Sequence, residues 1–296
     1  MMKIAQMFTE GKTNYSFEIF PPKKTSGVEG VYHAIEELAP LKPDFISVTY
    51  GAGGNPGNTY TQDIAADIKN KYGVESAAHL TCVSNSKEEV DVILERLKAS
   101  GVENILALRG DENPDHPAKQ DFPYAKDLIA YIKAHGDFGI SAACYPEGHV
   151  GCVSLDKDIE HLKEKVDAGA EHLISQLFFD NDSFYRFEEK ARKAGITVPI
   201  EAGIMPVTSI ASITRMVTLC GASLPRKFTQ MMQRYERYPD AVRDAGIAYA
   251  IDQIVDLAAH GVDGIHLYTM NNPTVAKRIT EAVESLVRPR LPEEQK

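Results

Sequence analysis

A single carboxylate stands inside an apolar run, NYSFEIF at 14–20. In an extended chain Tyr15, Phe17 and Ile19 share one face, and Ser16, Glu18 and Phe20 the other. The first face is wholly apolar and suits packing against helices; the second carries Glu18 into a different environment. A carboxyl group held there with little water has its charged form disfavoured, which suits a general acid near neutral pH. An ion pair with a basic residue such as Arg109 would satisfy the same group. Further residues able to do chemistry recur along the chain: Thr49 and Tyr50, His79 and Thr81, Arg109-Gly110-Asp111, Tyr145 with Glu147 and His149, Gln176 and Tyr268. Singly, each has a plainer use: Asp111 can cap a turn and His79 can be a hydrogen-bonded core histidine. In the helical stretch SLDKDIEHLKEKVDAG, Asp158, His161 and Lys165 fall on one face, either a solvated surface or a nucleotide contact.

The elements that must position these residues repeat. Short apolar runs at 14–20, 45–50, 76–83, 104–110, 139–145, 172–179, 199–205 and 264–270 read as strands, each followed by a stretch of helical period. The first seven begin roughly 30 residues apart, the length of one strand–helix unit. The longer last gap holds additional helix. Gly73, Gly101, Gly136, Gly169, Gly195 and Gly261 sit where helix C-caps belong. Eight such units predict an α/β fold, a (β/α)8 TIM barrel with an extra helical segment before the last strand. The chemistry-bearing residues then converge on the C-terminal ends of the strands, where barrel enzymes build their sites. GAGGNPG at 51–57 misses the GxGxxG spacing of a dinucleotide loop. One domain, 1–290, with a frayed tail at 291–296, accounts for the chain.

Composition bounds the rest. Of 296 residues, 43% are hydrophobic and 25% charged, enough for a large core. The net charge of −10 gives no footprint for nucleic acid or an anionic membrane. Cys82, Cys144, Cys152 and Cys220 contain no CxxC pair and read as separated buried thiols, with no metal expected. No signal peptide or membrane span is visible, which makes a cytoplasmic location the expectation.

In order, SFEIFPPK, SVTYGAGG, HLTC, ALRGD, YPEGH, KVDAGA, SQLFFD, GIMPV and HLYTMN resemble the methylenetetrahydrofolate reductase family over 16–271. The resemblance implies a barrel that binds FAD and reduces 5,10-methylenetetrahydrofolate to 5-methyltetrahydrofolate with NAD(P)H, the two substrates using one cleft in turn. It makes Glu18 the general acid that helps protonate N10 of the folate and open its five-membered ring. Asp111 would lie beside the flavin and pterin and favour a cationic folate intermediate. Gln176 would bind folate, with Met216 and Tyr268 as further substrate contacts. Thr49, Tyr50, Ala52, His79, Arg109, Gly110, Asp111, Tyr145, His149, Asp158, His161 and Lys165 would hold FAD, joined by Tyr124 and Ala125 after DENPDHPAKQDFP. The resemblance also implies self-association into a homo-oligomer. The chain departs from the family pattern at His161 and Glu164 on the flavin-binding helix, and at Ser212, Met216 and Asn272 among the substrate contacts. A flavin barrel acting on another amine, and a homologue that binds without turnover, are the competing readings.

Overall fold

The computed structural model describes residues 2–22, 27–50, 60–111 and 118–289. Eight parallel strands close into a barrel in chain order. They are β1 (Asn14–Ile19), β2 (Phe45–Val48), β3 (Glu75–Thr81), β4 (Asn104–Leu108), β5 (Gly139–Cys144), β6 (His172–Ser175), β7 (Ile200–Ile204) and β8 (Gly264–Tyr268). The helices around them are α1 (Glu29–Leu38), α2 (Tyr60–Tyr72), α3 (Lys87–Ala99), α4 (Ala125–His135), α5 (Leu155–Asp167), α6 (Asn181–Lys193) and α7 (Ile210–Cys220). Then come α8 (Arg226–Tyr235), α9 (Pro239–His260) and α10 (Pro273–Val287). The expected extra helix before the last strand is the pair α8 and α9. GAGGNPG and the 291–296 tail lie outside the described residues.

Parallel strands covered on both faces must be buried throughout, and β1 is buried at every position. Its alternation is as expected. Tyr15, Phe17 and Ile19 join the main core between barrel and helices, while Ser16 and Glu18 turn inward. The helices answer with one apolar face each. In α3, Val90, Leu94 and Leu97 are buried, each worth about 1.5–3 kcal/mol of transfer free energy. Its start is fixed by a capping box: Ser86 N donates to Glu89 Oε2 (2.7 Å), and Glu89 N donates to Ser86 Oγ (3.3 Å). Gly73, Gly101, Gly169, Gly195 and Gly261 adopt positive φ after their helices. Gly136 does not: its φ of −176° is extended backbone, so α4 ends without a left-handed turn.

Strand β6 stops four residues short of the expected 179. Local side chains take over its ladder bonds. Gln176 Oε1 accepts from Leu177 N (2.9 Å), and Ser175 Oγ accepts from Gly203 N (2.9 Å). The bottom of the barrel is plugged by the turn Ile4–Met7, where Ile4 N donates to Asn104 Oδ1 (2.9 Å). Ile4, Phe45, Ala77, Leu106 and Ile174 form an apolar floor there. A third apolar cluster joins Met205, Val207, Phe228, Met232 and Tyr249 under α8 and α9.

Candidate active site

Glu18 closes the inner face of β1 and is only 7% exposed. Its Oε2 lies 3.4 Å from His79 Nε2 and 3.6 Å from His266 Nε2, so β3 and β8 each present an imidazole to it. These histidines, rather than Arg109, are its neighbours at ion-pair distance; Arg109 is exposed and donates from Nε to Pro123 O (3.3 Å). The loop after β8 fixes the end of β1. Thr269 Oγ1 donates to Glu18 O (2.6 Å), and Asn271 grips Phe20 at both backbone groups, each at 2.8 Å. Met270 and Asn271 take positive φ to reach this geometry (52° and 54°), a strain offset by those bonds. The sequence reading singled out neither His266 nor Asn271. Alternation in HLYTMN held the signal for His266, which shares its face with Tyr268.

Around the mouth, Tyr50 is buried and its hydroxyl donates to Asn85 Oδ1 (3.1 Å). The hydroxyls of Thr49 and Thr81 are buried and have no hydrogen-bond partner among the described residues. Gly110 has φ of +83°, and a β-carbon there would stand 2.9 Å from Thr81 Cβ, so the turn before Asp111 needs glycine on two counts. Asp111 is exposed, and its charge reaches Tyr145 and Cys220, raising both acids after burial has done so. Ala52 lies outside the described residues.

A second group lines the loop after β5 and the start of α5. Tyr145 stands edge-on to His149 (4.8 Å), and Lys165 Nζ lies 5.6 Å from the Tyr145 ring. Lys165 donates to Ala143 O (2.8 Å), and burial lowers its pKa. Asp158 accepts from His149 N (3.1 Å). Cys152, Asp158 and exposed His161 bring their ligand atoms within 4.8 Å of one another. Cys152 and Cys220 are only partly buried, which corrects the reading of four buried thiols. Glu164, an anion where the family pattern has a cation, pairs with Lys126 (2.8 Å). Lys126 also lies 5.8 Å from the ring of Tyr124, which is 60% exposed, while Ala125 is buried as the first residue of α4.

The remaining candidates are partly committed elsewhere. Gln176 folds its amide oxygen back onto Leu177 N. Tyr268 donates its hydroxyl to Ser175 O (2.6 Å), which leaves the ring as the part free to contact a ligand. Only glycine fits opposite, since a β-carbon on Gly203 would stand 2.8 Å from Tyr268 Oη. Met216 is half-buried against the third apolar cluster. Ser212 bonds Ser209 at the start of α7, and Asn272 caps α10 by accepting from Val275 N (3.2 Å). Glu147 accepts from Ser223 N at 3.1 Å and ties the loops together.

Deeper in the barrel, His172 and Glu201 are fully buried, with His172 Nε2 3.4 Å from Glu201 Oε2. Without water a charge on either is costly, so burial favours the uncharged form of both. Burial depresses His79 to about 4 and His172 to about 3, while the unfolded histidines protonate near 6.5. Below 6.5 the unfolded chain binds more protons at these two sites, so their contribution is lost as pH falls. Burial raises Glu201 from 4.5 to about 8, so its contribution is present below 4.5 and is lost as pH rises to about 8. Below 6.5 the two histidines outweigh the one acid; above it the acid acts alone. Stability from these groups is expected to peak near pH 6.5. Urea midpoints measured across mildly acid to mildly alkaline pH check this, and a monotonic rise through that range would contradict it.

Comparison with known proteins places this arrangement. The family model for Methylenetetrahydrofolate reductase matches residues 3–284. The chain is 38% identical over 270 residues to a 5,10-methylenetetrahydrofolate reductase from Pectobacterium carotovorum subsp. carotovorum, covering 91% of this chain and 90% of that protein. It is 37% identical to a methylenetetrahydrofolate reductase (NADH) 1 from Arabidopsis thaliana over 286 residues, which are 91% of this chain. It spans about half of that plant relative (48%). Among solved structures, it resembles an uncharacterized protein from Clostridium thermocellum that binds two copies of 5-methyl-5,6,7,8-tetrahydrofolic acid. That match has a TM-score of 0.64 at 14% identity and covers 93% of this chain and 96% of the other. This last likeness speaks for the fold alone. The barrel, the carboxyl at its mouth and the match along nearly the whole chain agree: this protein belongs to the methylenetetrahydrofolate reductase family.

Proposed function

We propose that this protein reduces 5,10-methylenetetrahydrofolate to 5-methyltetrahydrofolate, using FAD and NAD(P)H in alternate half-reactions. The observation that carries the reading is Glu18, an almost fully buried carboxyl at the catalytic end of the barrel, held between two imidazoles. Opening the folate ring needs a proton at N10, and this is a group built to hold and release one. Asp111 adds a negative charge at the same mouth, which favours a cationic folate over a neutral one.

The residues present fit FAD. The hydroxyls of Thr49 and Thr81 are buried and without a partner among the described residues, a cost that a ligand would remove. Tyr145, His149, Asp158 and Lys165 offer a ring face, a carboxylate and a buried cation along one side of the mouth. Glu164 need not repel the cofactor's phosphates, because Lys126 neutralises it. FAD, when bound, supplies the hydride chemistry, accepting from the nicotinamide and donating to the folate. The chain's own part is to orient the two substrates in turn, exclude water and deliver the proton. Tyr268 and Met216 present apolar surface to a flat ring, and Gln176 can release its amide from Leu177 to meet a pterin. Self-association and a cytoplasmic location complete the reading.

The purified protein is expected to be yellow and to release flavin on denaturation. Under anaerobic conditions NADH or NADPH should bleach it, and methylenetetrahydrofolate should restore the colour. A colourless protein that takes up no FAD would overturn this reading.

A further inference from the structure

The barrel interior holds more titratable groups than this chemistry uses. Ser16 Oγ stands 2.6 Å from His266 Nδ1 and 3.0 Å from each carboxyl oxygen of Glu201. On its other side, His266 Nε2 stands 3.6 Å from Glu18 Oε2 and 3.4 Å from Ser47 Oγ. Polar atoms therefore run from the carboxyl at the mouth to a second carboxyl near the floor. The longest step, at Glu18, is slightly beyond a hydrogen bond, as catalytic contacts often are before substrate closes the site.

The second carboxyl sits in space made for it. A β-carbon on Gly264 would stand 2.7 Å from Glu201 Cγ and 2.9 Å from its Oε1. Below, aromatic rings pack against the interior histidines. The Phe45 ring stacks on His266 (5.9 Å) and meets His172 edge-on (6.0 Å), and Phe8 packs on His172 (4.9 Å). Beside Glu201, His172 is held by Ser141 Oγ, 2.9 Å from its Nδ1. The short polar route upward from Glu201 is Ser16 and then His266.

Counting protons gives the line two arrangements. Ser16 has one hydroxyl proton and lies against both His266 Nδ1 and Glu201. Where Glu201 is ionised, Ser16 donates to its two oxygens; where Glu201 carries a proton, it donates to Ser16 and Ser16 donates to His266 Nδ1. In the second arrangement His266 presents Nε2–H to the Glu18 carboxylate, 3.6 Å away. Shifting each proton one step gives the mirror arrangement: Glu18 protonated, His266 protonated at Nδ1, Ser16 donating to ionised Glu201. In both, each donor along the line faces an acceptor.

We propose that Glu201 stores the proton that Glu18 delivers, passing it upward through Ser16 and His266. This rests on the reading of Glu18 as the acid toward folate. In the step, Glu201 loses one proton and N10 of the folate gains one. Ser16 gives up one proton and takes one, His266 changes tautomer, and no electrons move along the line. When product leaves and the mouth opens, solvent recharges Glu201 by the reverse route. Burial holds the proton on Glu201 up to about pH 8; His266 and Ser16 work against this and the carboxylates Asp44 and Asp263 favour it. His172 adjoins it and stays neutral, and Glu18 faces His79, His266 and Tyr268.

Two measurements test the store. Infrared spectra of the ligand-free protein near neutral pH, with carbon-13-labelled glutamate, should show a protonated carboxylic acid that Glu201→Gln removes. Its absence overturns the proposal without reference to cofactor or turnover. In anaerobic stopped-flow, Glu201→Gln should slow reoxidation of the reduced flavin by methylenetetrahydrofolate about tenfold at mildly alkaline pH. The loss should shrink at acid pH, where solvent supplies protons directly at the mouth. Flavin reduction by the nicotinamide donor reads whether the site is intact. Ser16→Ala should reproduce the kinetic loss while keeping the acid band, which covers the case in which Glu201→Gln fails to fold. A pH profile in either variant that superimposes on the wild type overturns the relay. A wild type that shows the acid band but no folate-driven reoxidation overturns the proposed function instead, and the relay's role with it.

Discussion

Glutamine at position 18 is expected, on the proposed function, to leave flavin reduction by NAD(P)H nearly unchanged and to slow reduction of methylenetetrahydrofolate by about 10²–10⁴-fold. The reason lies in the proton needs of the two half-reactions. Hydride transfer from a nicotinamide requires no acid on the donor. Opening the folate ring requires a proton at N10, and Glu18 is the carboxyl that β1 turns into the barrel. Glutamine preserves the volume and keeps a polar group beside His79 and His266. What it lacks is a transferable proton. The loss corresponds to roughly 3–5 kcal/mol of transition-state stabilisation, all in one half-reaction. Stopped-flow of each half-reaction measures the split. Equal losses in both would mean that Glu18 organises the site rather than acts as its acid.

Alanine at Gly246 is expected to destabilise the protein by about 3 kcal/mol, lowering Tm by roughly 6–12 °C for a domain near this size. In a helix interior the same change ordinarily stabilises by up to about 1 kcal/mol. Here a β-carbon would stand 1.7 Å from Val207 O and 2.7 Å from its carbonyl carbon, and backbone cannot yield as a flexible side chain does. Helix α9 lies this close because it braces the loops at the mouth. Tyr249 donates to Phe179 O (2.6 Å) and Gln253 to Phe178 O (3.2 Å), while Gly246 meets the loop after β7. Lifting α9 would therefore loosen the segments that carry Gln176 and Met205 as well as the fold. Gly30→Ala in α1 is the matched control: nothing lies within 4 Å of its β-carbon position, and it should stabilise slightly. Calorimetric melts of the two variants decide the matter, and a stable Gly246→Ala would mean the approach of α9 to Val207 is looser than the structure has it.

The sequence by itself determined the barrel and the inward face that Glu18 takes. Strand starts fell within a residue of the expected ones because strands buried on both faces are written as largely apolar runs, and period-two alternation fixed which face Glu18 takes. Strand ends were less legible. At β6 the ladder is closed by the side chains of Gln176 and Ser175, a choice that depends on what β7 offers across the sheet. Tertiary structure alone decided the company Glu18 keeps. Arg109 and His266 are both available in the sequence as partners, and barrel closure selects His266, because β8 pairs with β1 and places Tyr268 beside Glu18 in register. The same closure brings Glu201, 183 residues later in the chain, to within a hydroxyl of His266. Alternation could turn both residues inward; only the stagger of the closed sheet could join them through Ser16. Charge balance was decided in the same way. Glu164 reads as an intruding anion along its helix, and the neighbouring helix supplies Lys126 to neutralise it. Local patterns fix which way a side chain points. Which groups meet across the barrel depends on contacts between distant segments, and those exist only once the sheet has closed.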